Sequence, residues 1–350
     1  MMNTHAARLS QFQKLIADKG LDAFLVTRPL DQYFLTGYHM NDYLLLVGRK
    51  KAWAMLPEML CAQFRDIVSF CKAEATSVGN DVPTLVLKRV EAEGFSRVAF
   101  DMSAETYISG TMWKKHKFVP SENLSLRLRL TKQGTEIESL RKSCRVAAKA
   151  FEVIRKKVRP GQTERQVMLT LERIMQDMGA SGPSFNTIIG SGPNSALPHH
   201  ITGDRKLRAG EPLLLDFGCV YDHYCSDITR TIFLGKPTPE FRRVYSIVEA
   251  SHDAGVKAVR SGIPCKAVDD VCRGLITDAG YGKTFMHGTG HGVGLEIHEP
   301  PRLNTKDPSM LMAGMAVTVE PGIYLHGKFG VRIEDTVLVK EKGCEILTRP

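Results

Sequence analysis

The stretch 212-PLLLDFGCVYDHYCSDITRTIF-233 sets two apolar runs, LLLDFG and SDITRTIF, on either side of a short polar turn. Each run has the length and the Leu, Ile and Thr content of a strand, and each is interrupted by one carboxylate. With the turn centred between Tyr221 and Asp222, Asp216 and Asp227 stand directly opposite one another in an antiparallel pair. Opposed residues share a face with Cβ atoms ~4.5–5.5 Å apart. Two carboxylates that close among apolar neighbours repel, and a bound divalent cation removes the conflict.

The same construction recurs in 317-VTVEPGIYLHGKFGVRIEDTVLV-339, where Glu320 and Glu334 lie symmetrically about Gly327. A charge interrupting a buried strand is costly unless it is paired or metal-bound. Between the two pairs runs 285-FMHGTGHGVGLEIHEPP-301, with glycine at 288, 290, 292 and 294. Strand alternation puts His287, Thr289, His291 and Val293 on one face. The glycines opposite admit another backbone or permit bulges. His291 is the natural imidazole ligand, with His287 and His298 as proton donors to a substrate. A phosphate-cradling loop would open a helix, and this one runs into two prolines; the glycines equally exclude a helical zinc signature. Four carboxylates and a histidine suit Mn²⁺, or Co²⁺ and Zn²⁺ less selectively. Five such side chains fit two ions ~3.5–4 Å apart, and the chemistry implied is metal-assisted hydrolysis.

Outward from these motifs, 350 residues predict two domains. The +9 net charge comes from scattered basic groups interleaved with acids, a solvated surface and not a nucleic-acid site. No apolar run reaches the ~18 residues of a spanning helix. The N-terminus reads as an amphipathic helix and not a signal peptide, which predicts a cytoplasmic protein with no membrane contact and reduced thiols at its eight cysteines. Residues 1–125 alternate strand-like runs (22–27, 43–48, 53–57, 97–101) with helical ones (8–19, 58–68, 83–93, 104–114), a small α/β domain. Residues 120–134 read as a strand-like linker. Capping boxes at Thr135/Glu138 and Thr163/Gln166 open two helices. Residues 156–179 share seven identities with 257–280, among them Gly161/Gly262 and Gly179/Gly280, a sign of internal duplication. The second domain, 126–350, is therefore expected to be α+β with pseudo-twofold symmetry.

In this order, LLLDFG, SDITRT, HGTGHGVG, VEPGIY and RIED resemble the motifs of the pita-bread metallopeptidases, and among them the proline-specific aminopeptidase P and Xaa-Pro dipeptidase (prolidase). The resemblance implies an α+β pita-bread catalytic domain at 126–350 behind a smaller creatinase/prolidase-type α/β domain at 1–125. It puts the metal ligands on Asp216, Asp227, His291, Glu320 and Glu334, holding two divalent ions. Asp227 and Glu334 would bridge them, and Glu320 would also shuttle protons for an attacking metal-bridged hydroxide. It places His199 (in SALPHH), His287 and His298 on the substrate side, stabilising the oxyanion. Arg332 is implied as a support or substrate contact; Arg302, in a loop, is the residue to meet a free peptide carboxylate if it is more than a surface arginine. His200 and His223 read as plain surface histidines. Short proline-containing peptides and a homodimer follow from the same resemblance. Relatives that lost ligands are binding scaffolds, and a creatine-hydrolysing relative works without metal; here all five ligands stand. Methionine aminopeptidases share the site but lack the extra domain. No motif separates aminopeptidase from dipeptidase; a chain ending soon after RIED favours the aminopeptidase, with the dipeptidase as alternative.

Overall fold

The apolar runs of the first third become the strands of one sheet. A computed structural model describes residues 4–76 and 81–349, and the chain divides between Arg129 and Leu130 into two compact units. In the first, helix α1 (Thr4–Asp18) buries Leu9, Phe12 and Ile16 at helical spacing. There follow β1 (Ala23–Val26), α2 (Pro29–Thr36), β2 (Leu44–Gly48), β3 (Ala52–Pro57), α3 (Glu58–Ile67), β4 (Lys72–Thr76), α4 (Val82–Ala92), β5 (Val98–Asp101), α5 (Tyr107–Lys115), β6 (Val119–Ser121) and α6 (Leu124–Arg129). The strands order β4-β3-β2-β1-β5-β6, with Trp53, Phe100 and Trp113 in the core beside them. Strand β4, KAEAT, carries no apolar run and escapes a reading by hydrophobicity.

The predicted strand-like linker is corrected here. LSLRLR alternates like a strand but forms α6, because Asn123 caps it: its Oδ1 accepts from Ser125 N at 2.9 Å and Ser125 Oγ at 2.6 Å. Asp31 then fastens the helix, accepting from Asn123 Nδ2 and Arg129 Nη1, both at 2.7 Å. Asp31 and Arg129 are each 2% exposed, so the ion pair is buried.

The second unit is built twice. Helices α7 (Thr135–Ile154) and α8 (Glu164–Asp177) precede strands β7 (Gly182–Pro183), β8 (Ile188–Ser191), β9 (Pro212–Phe217), β10 (Cys219–Tyr221), β11 (Tyr224–Cys225) and β12 (Ile228–Phe233). Helices α9 (Pro239–Ala258) and α10 (Cys265–Asp278) precede β13 (Gly290–Gly292), β14 (Glu299–Leu303), β15 (Ala316–Val319), β16 (Gly322–Leu325), β17 (Phe329–Arg332), β18 (Asp335–Val339) and β19 (Cys344–Ile346). The helices α8 and α10 have identical length at the 101-residue offset read from the sequence. The glycines matched by that offset all sit at positive φ, from 82° to 97°, where only glycine rests without strain. The sheets correspond as well: β12-β9-β8 in the first half, β18-β15-β13 within the five-stranded sheet of the second. They join where Glu334 N donates to Thr229 O at 3.1 Å. Each half packs its helix pair on its sheet around its own apolar core.

The Thr163/Gln166 capping box is present. The Thr135 box is not: Gly134, at φ 48°, occupies the cap position, and no side chain caps the helix. Among the described residues no helix is long and apolar enough to cross a membrane. All eight cysteines are free.

Replacing Arg129 by Met leaves the Asp31 carboxylate buried with its charge partner gone. Urea denaturation should show a loss of ~3–5 kcal/mol; a loss under 1 kcal/mol would show that the pair contributes nothing to the first unit.

Candidate metal centre

The two carboxylate pairs are set by two hairpins. In the first, Tyr221 pairs with Tyr224, so the turn is Asp222-His223, both at positive φ (53° and 68°). This is one residue later than the sequence suggests. The backbone twist of a two-residue hairpin demands positive φ at both positions, and Asp and His tolerate it where the larger apolar neighbours do not. The correction shifts the register: Asp216 pairs with Thr229. Asp227 is therefore a diagonal neighbour of Asp216 and not directly opposite it. In the second hairpin Gly322 pairs with Arg332 and Val319 with Asp335, the register that mirrors Glu320 and Glu334 about Gly327.

His291 reaches the same place because its strand has no side chains on the other face. A Cβ added at Gly290 would lie 2.0 Å from Thr318 O, and one at Gly292 2.3 Å from Pro300 O. The register between β13 and β14 also slips between His291 and Gly292. Both uses of the glycines, close approach and bulge, occur together. The His291 Nδ1–H donates to Gly292 O at 3.0 Å, which turns the Nε2 lone pair towards the acids: Asp227 Oδ2 and Glu320 Oε1 each lie 3.5 Å from it. Burial holds the imidazole pKa down at about 3, so the ring is neutral. Ligand atoms of Asp227, His291 and Glu334 lie within 4.8 Å of one another.

Burial pushes the Asp227 carboxyl well above the usual range, and Glu334, Asp216 and Glu320 push it further. Glu334 is raised likewise by burial and then by Glu320 and Asp216. Glu320 is raised to about 8 by burial, with Arg332 opposing. Its side chain is 18% exposed against 6% for Asp227 and 12% for Asp216, so it is the more open to the cavity above. That cavity, about 1060 Å³, is lined by all five donors together with His199, His298 and Arg302.

Behind the donors lies a layer that holds them. Thr229 Oγ1 donates to Glu334 Oε2 at 2.6 Å. Arg332, 3% exposed, donates to Asp216 Oδ2, to Thr229 Oγ1 at 3.1 Å and to Tyr324 OH at 2.7 Å. Tyr324 in turn meets His287 Nε2 at 2.8 Å, while His287 Nδ1 donates to Gly288 O at 2.8 Å. Arg332 thus supports Asp216. His287 borders the cavity with both ring nitrogens taken by the protein. His298 packs edge-on to His291, centroids 4.4 Å apart, and its side chain and that of His199 are exposed to the cavity. Arg302 is not on a loop: it pairs with His291 across β13 and β14, and its side chain is exposed. His200 is corrected too, being 12% exposed and bonded to Glu164. Thr229 and Tyr324 were not singled out in the sequence. A Thr two residues after Asp227 in a buried strand is their signal, as is the Tyr that ends VEPGIY.

The donor set fits divalent cations. Asp216 and Glu334 each spend one oxygen on the protein and keep a second, His291 offers a neutral nitrogen, and the burial and mutual repulsion that raise Asp227, Glu320 and Glu334 are what a dication relieves. Residues 138–341 match Metallopeptidase family M24, and residues 8–131 match the Creatinase/Prolidase N-terminal domain. The chain belongs to metallopeptidase family M24. It is 34% identical to the Xaa-Pro dipeptidase of Pyrococcus furiosus over 98% of this chain and 97% of that protein. The solved Xaa-Pro dipeptidase from Bacillus anthracis superposes with a TM-score of 0.96 at 34% identity, covering 99% of this chain and 98% of that one. The X-Pro aminopeptidase from Thermotoga maritima superposes at 0.89 and 32%, covering 97% and 98%. The fold is accordingly the two-domain one of these peptidases, a creatinase/prolidase-type domain followed by a pita-bread catalytic domain, and the M24 protein is a metallopeptidase that uses divalent metal.

The raised carboxyls fix how stripping the metal acts. A carboxyl raised in the folded state stabilises it below the unfolded pKa and loses that contribution as pH rises through the folded value, here from 4.5 towards about 8 for Glu320. The melting-temperature gap between Mn²⁺-loaded and chelator-treated protein should therefore widen from pH 5 to pH 8. A gap that is constant or narrows would mean that these carboxylates do not hold the ions.

Proposed function

We propose that this M24 peptidase is an Xaa-Pro dipeptidase, a prolidase that cleaves the bond between an N-terminal residue and a C-terminal proline. The observation that carries the reading is Arg302, an exposed guanidinium on the strand beside His291, facing the same cavity as the five donors. It supplies a cation for the free carboxylate after proline, the group that only a dipeptide presents there. Full-length similarity to proteins named Xaa-Pro dipeptidase supports the same choice. This reverses the leaning towards an aminopeptidase drawn from the chain's length. The aminopeptidase remains the second reading, favoured by the likeness to the Thermotoga maritima enzyme.

In this reading Asp216, Asp227, His291, Glu320 and Glu334 hold two divalent ions, Mn²⁺ first among the candidates. Ions held by these residues would polarise the scissile carbonyl and lower the pKa of water. The chain's own groups do the rest. Glu320, open to the cavity, takes the proton of the attacking water and delivers it to the proline nitrogen as the C–N bond breaks. His199 and His298 donate to the carbonyl oxygen of the scissile bond, and Arg302 fixes the substrate's carboxylate. Arg332 and Thr229 keep Asp216 and Glu334 in place, so little reorganisation accompanies the reaction. The protein acts on short proline-containing peptides, in the cytoplasm, as a homodimer.

On Mn²⁺-loaded protein, Ala-Pro should be hydrolysed and Ala-Pro-Ala poorly or not at all; a tripeptide cleaved at Ala-Pro as fast as the dipeptide makes the protein an aminopeptidase. Arg302→Ala should raise KM for Ala-Pro by ~10- to 100-fold, the scale of a charge-assisted hydrogen bond, with kcat little changed. Asp227→Ala and Glu334→Ala should lose both metal and turnover, and activity retained by a variant shown to be metal-free would refute the hydrolytic scheme.

A further inference from the structure

We infer that the buried pair Glu164–His200 is a positioning device, holding the cavity-wall loop so that His199 faces the substrate. The inference rests on the reading above, in which His199 contacts the substrate carbonyl.

Glu164 opens α8 and is fully buried. Its carboxylate accepts from Ser191 N at 2.8 Å, Ser191 Oγ at 2.7 Å, Asn194 Nδ2 at 2.9 Å, His200 Nε2 at 2.8 Å and Gly203 N at 3.4 Å. Burial alone would raise this carboxyl; the donors, His200 first, hold it below the usual range. All five donors belong to the segment 191–203, which leaves β8, passes the cavity and turns back. One end of the loop is fixed by Ser195, whose Oγ accepts from Gly330 N at 2.9 Å. The other is fixed by Thr202, whose Oγ1 donates to Thr187 O and accepts from Ile189 N, both at 2.8 Å. The arc between cannot be held by packing alone, because Leu197 is 42% exposed and Ile201 88% exposed. His199 stands on that arc with its side chain in the cavity. Its neighbour His200 turns the other way, into Glu164, at 12% exposure. His199 sits in a tight turn closed by His200 N donating to Leu197 O at 3.1 Å, so anchoring the residue that closes the turn fixes the backbone from which His199 projects. None of these contacts involves the five metal donors.

The test has two arms, and only one needs substrate. Hydrogen exchange on the metal-loaded protein reads the loop directly, through the bonded amides of Leu197, His200 and Gly203. His200→Ala, and His200→Phe, which keeps ring volume without a donor, should speed exchange there at least about tenfold, with exchange in β9 and β12 and metal content unchanged. In kinetics with Ala-Pro the same variants should lower kcat by ~10- to 100-fold, as expected for a catalytic group displaced by ~1 Å, with a smaller change in KM. His200→Gln, which keeps an N–H for Glu164, should recover most of the loss. His199→Ala/His200→Ala should be no slower than His199→Ala alone, because the second change acts through the first. Exchange and kcat within twofold of wild type in His200→Ala would overturn the proposal, as would a double variant in which the two losses multiply in full. If wild-type protein hydrolyses no Xaa-Pro peptide, the proposed function fails while the exchange arm still decides whether Glu164 and His200 set the loop.

Discussion

Carboxylates of one sign, buried against one another, are the constraint from which the second unit follows. Asp227 and Glu334 stand immediately before β12 and β18 with almost no access to water, and neither is tolerable there as an isolated anion. Both halves of the unit contribute to the cluster, and the halves join at the backbone bond between Glu334 and Thr229. The seam between two similar substructures is thus also the place where charge accumulates. A divalent cation held there would turn that repulsion into attraction, so that one centre would serve folding and chemistry together.

The supporting layer limits how the donors move. Arg332 connects Asp216, Thr229 and Tyr324, and Thr229 connects to Glu334. The buried guanidinium borders the cavity, balances part of the negative charge and fixes the carboxylate rotamers. The glycines of HGTGHGVG contribute by exclusion: their missing Cβ atoms let the backbones at Thr318 and Pro300 close on β13 and bring His291 to the acids. The residues that meet the substrate in the proposed reading, His199, His298 and Arg302, sit on the exposed side of the same cavity. Asp216, Asp227, His291 and Glu334 are buried while His199, His298 and Arg302 are open to the cavity, a division that in the proposed reading separates assembly of the site from recognition.

Comparison of the two hairpins shows where reading a sequence stops. Glycine at 327 announces its turn, and the mirrored placing of Glu320 and Glu334 follows. The Asp-His turn at 222–223 carries no glycine, so polarity centred it one residue early and put Asp216 opposite Asp227. The facing pair survived as neighbours because a shift of two pairing positions keeps alternate residues on one side of a sheet. Likewise LSLRLR alternates as a strand does, yet Asn123 and Asp31, the latter distant in sequence, make it a helix.

The sequence by itself determined the donor types, their order along the chain, the duplication at an offset of 101 residues and the family resemblance. These are matters of residue chemistry, period and spacing, which are written in the chain. Only the tertiary structure decided that Arg302 lies on a strand beside His291, that Arg332 is enclosed behind Asp216, and that His200 is tied to Glu164 instead of facing solvent. Each of those outcomes depends on which distant segment approaches the side chain: β14 folding back on β13, Tyr324 and Thr229 closing around a guanidinium, α8 presenting a buried acid to a loop. Local pattern does not carry that information, because burial and partnership arise only when separate elements pack.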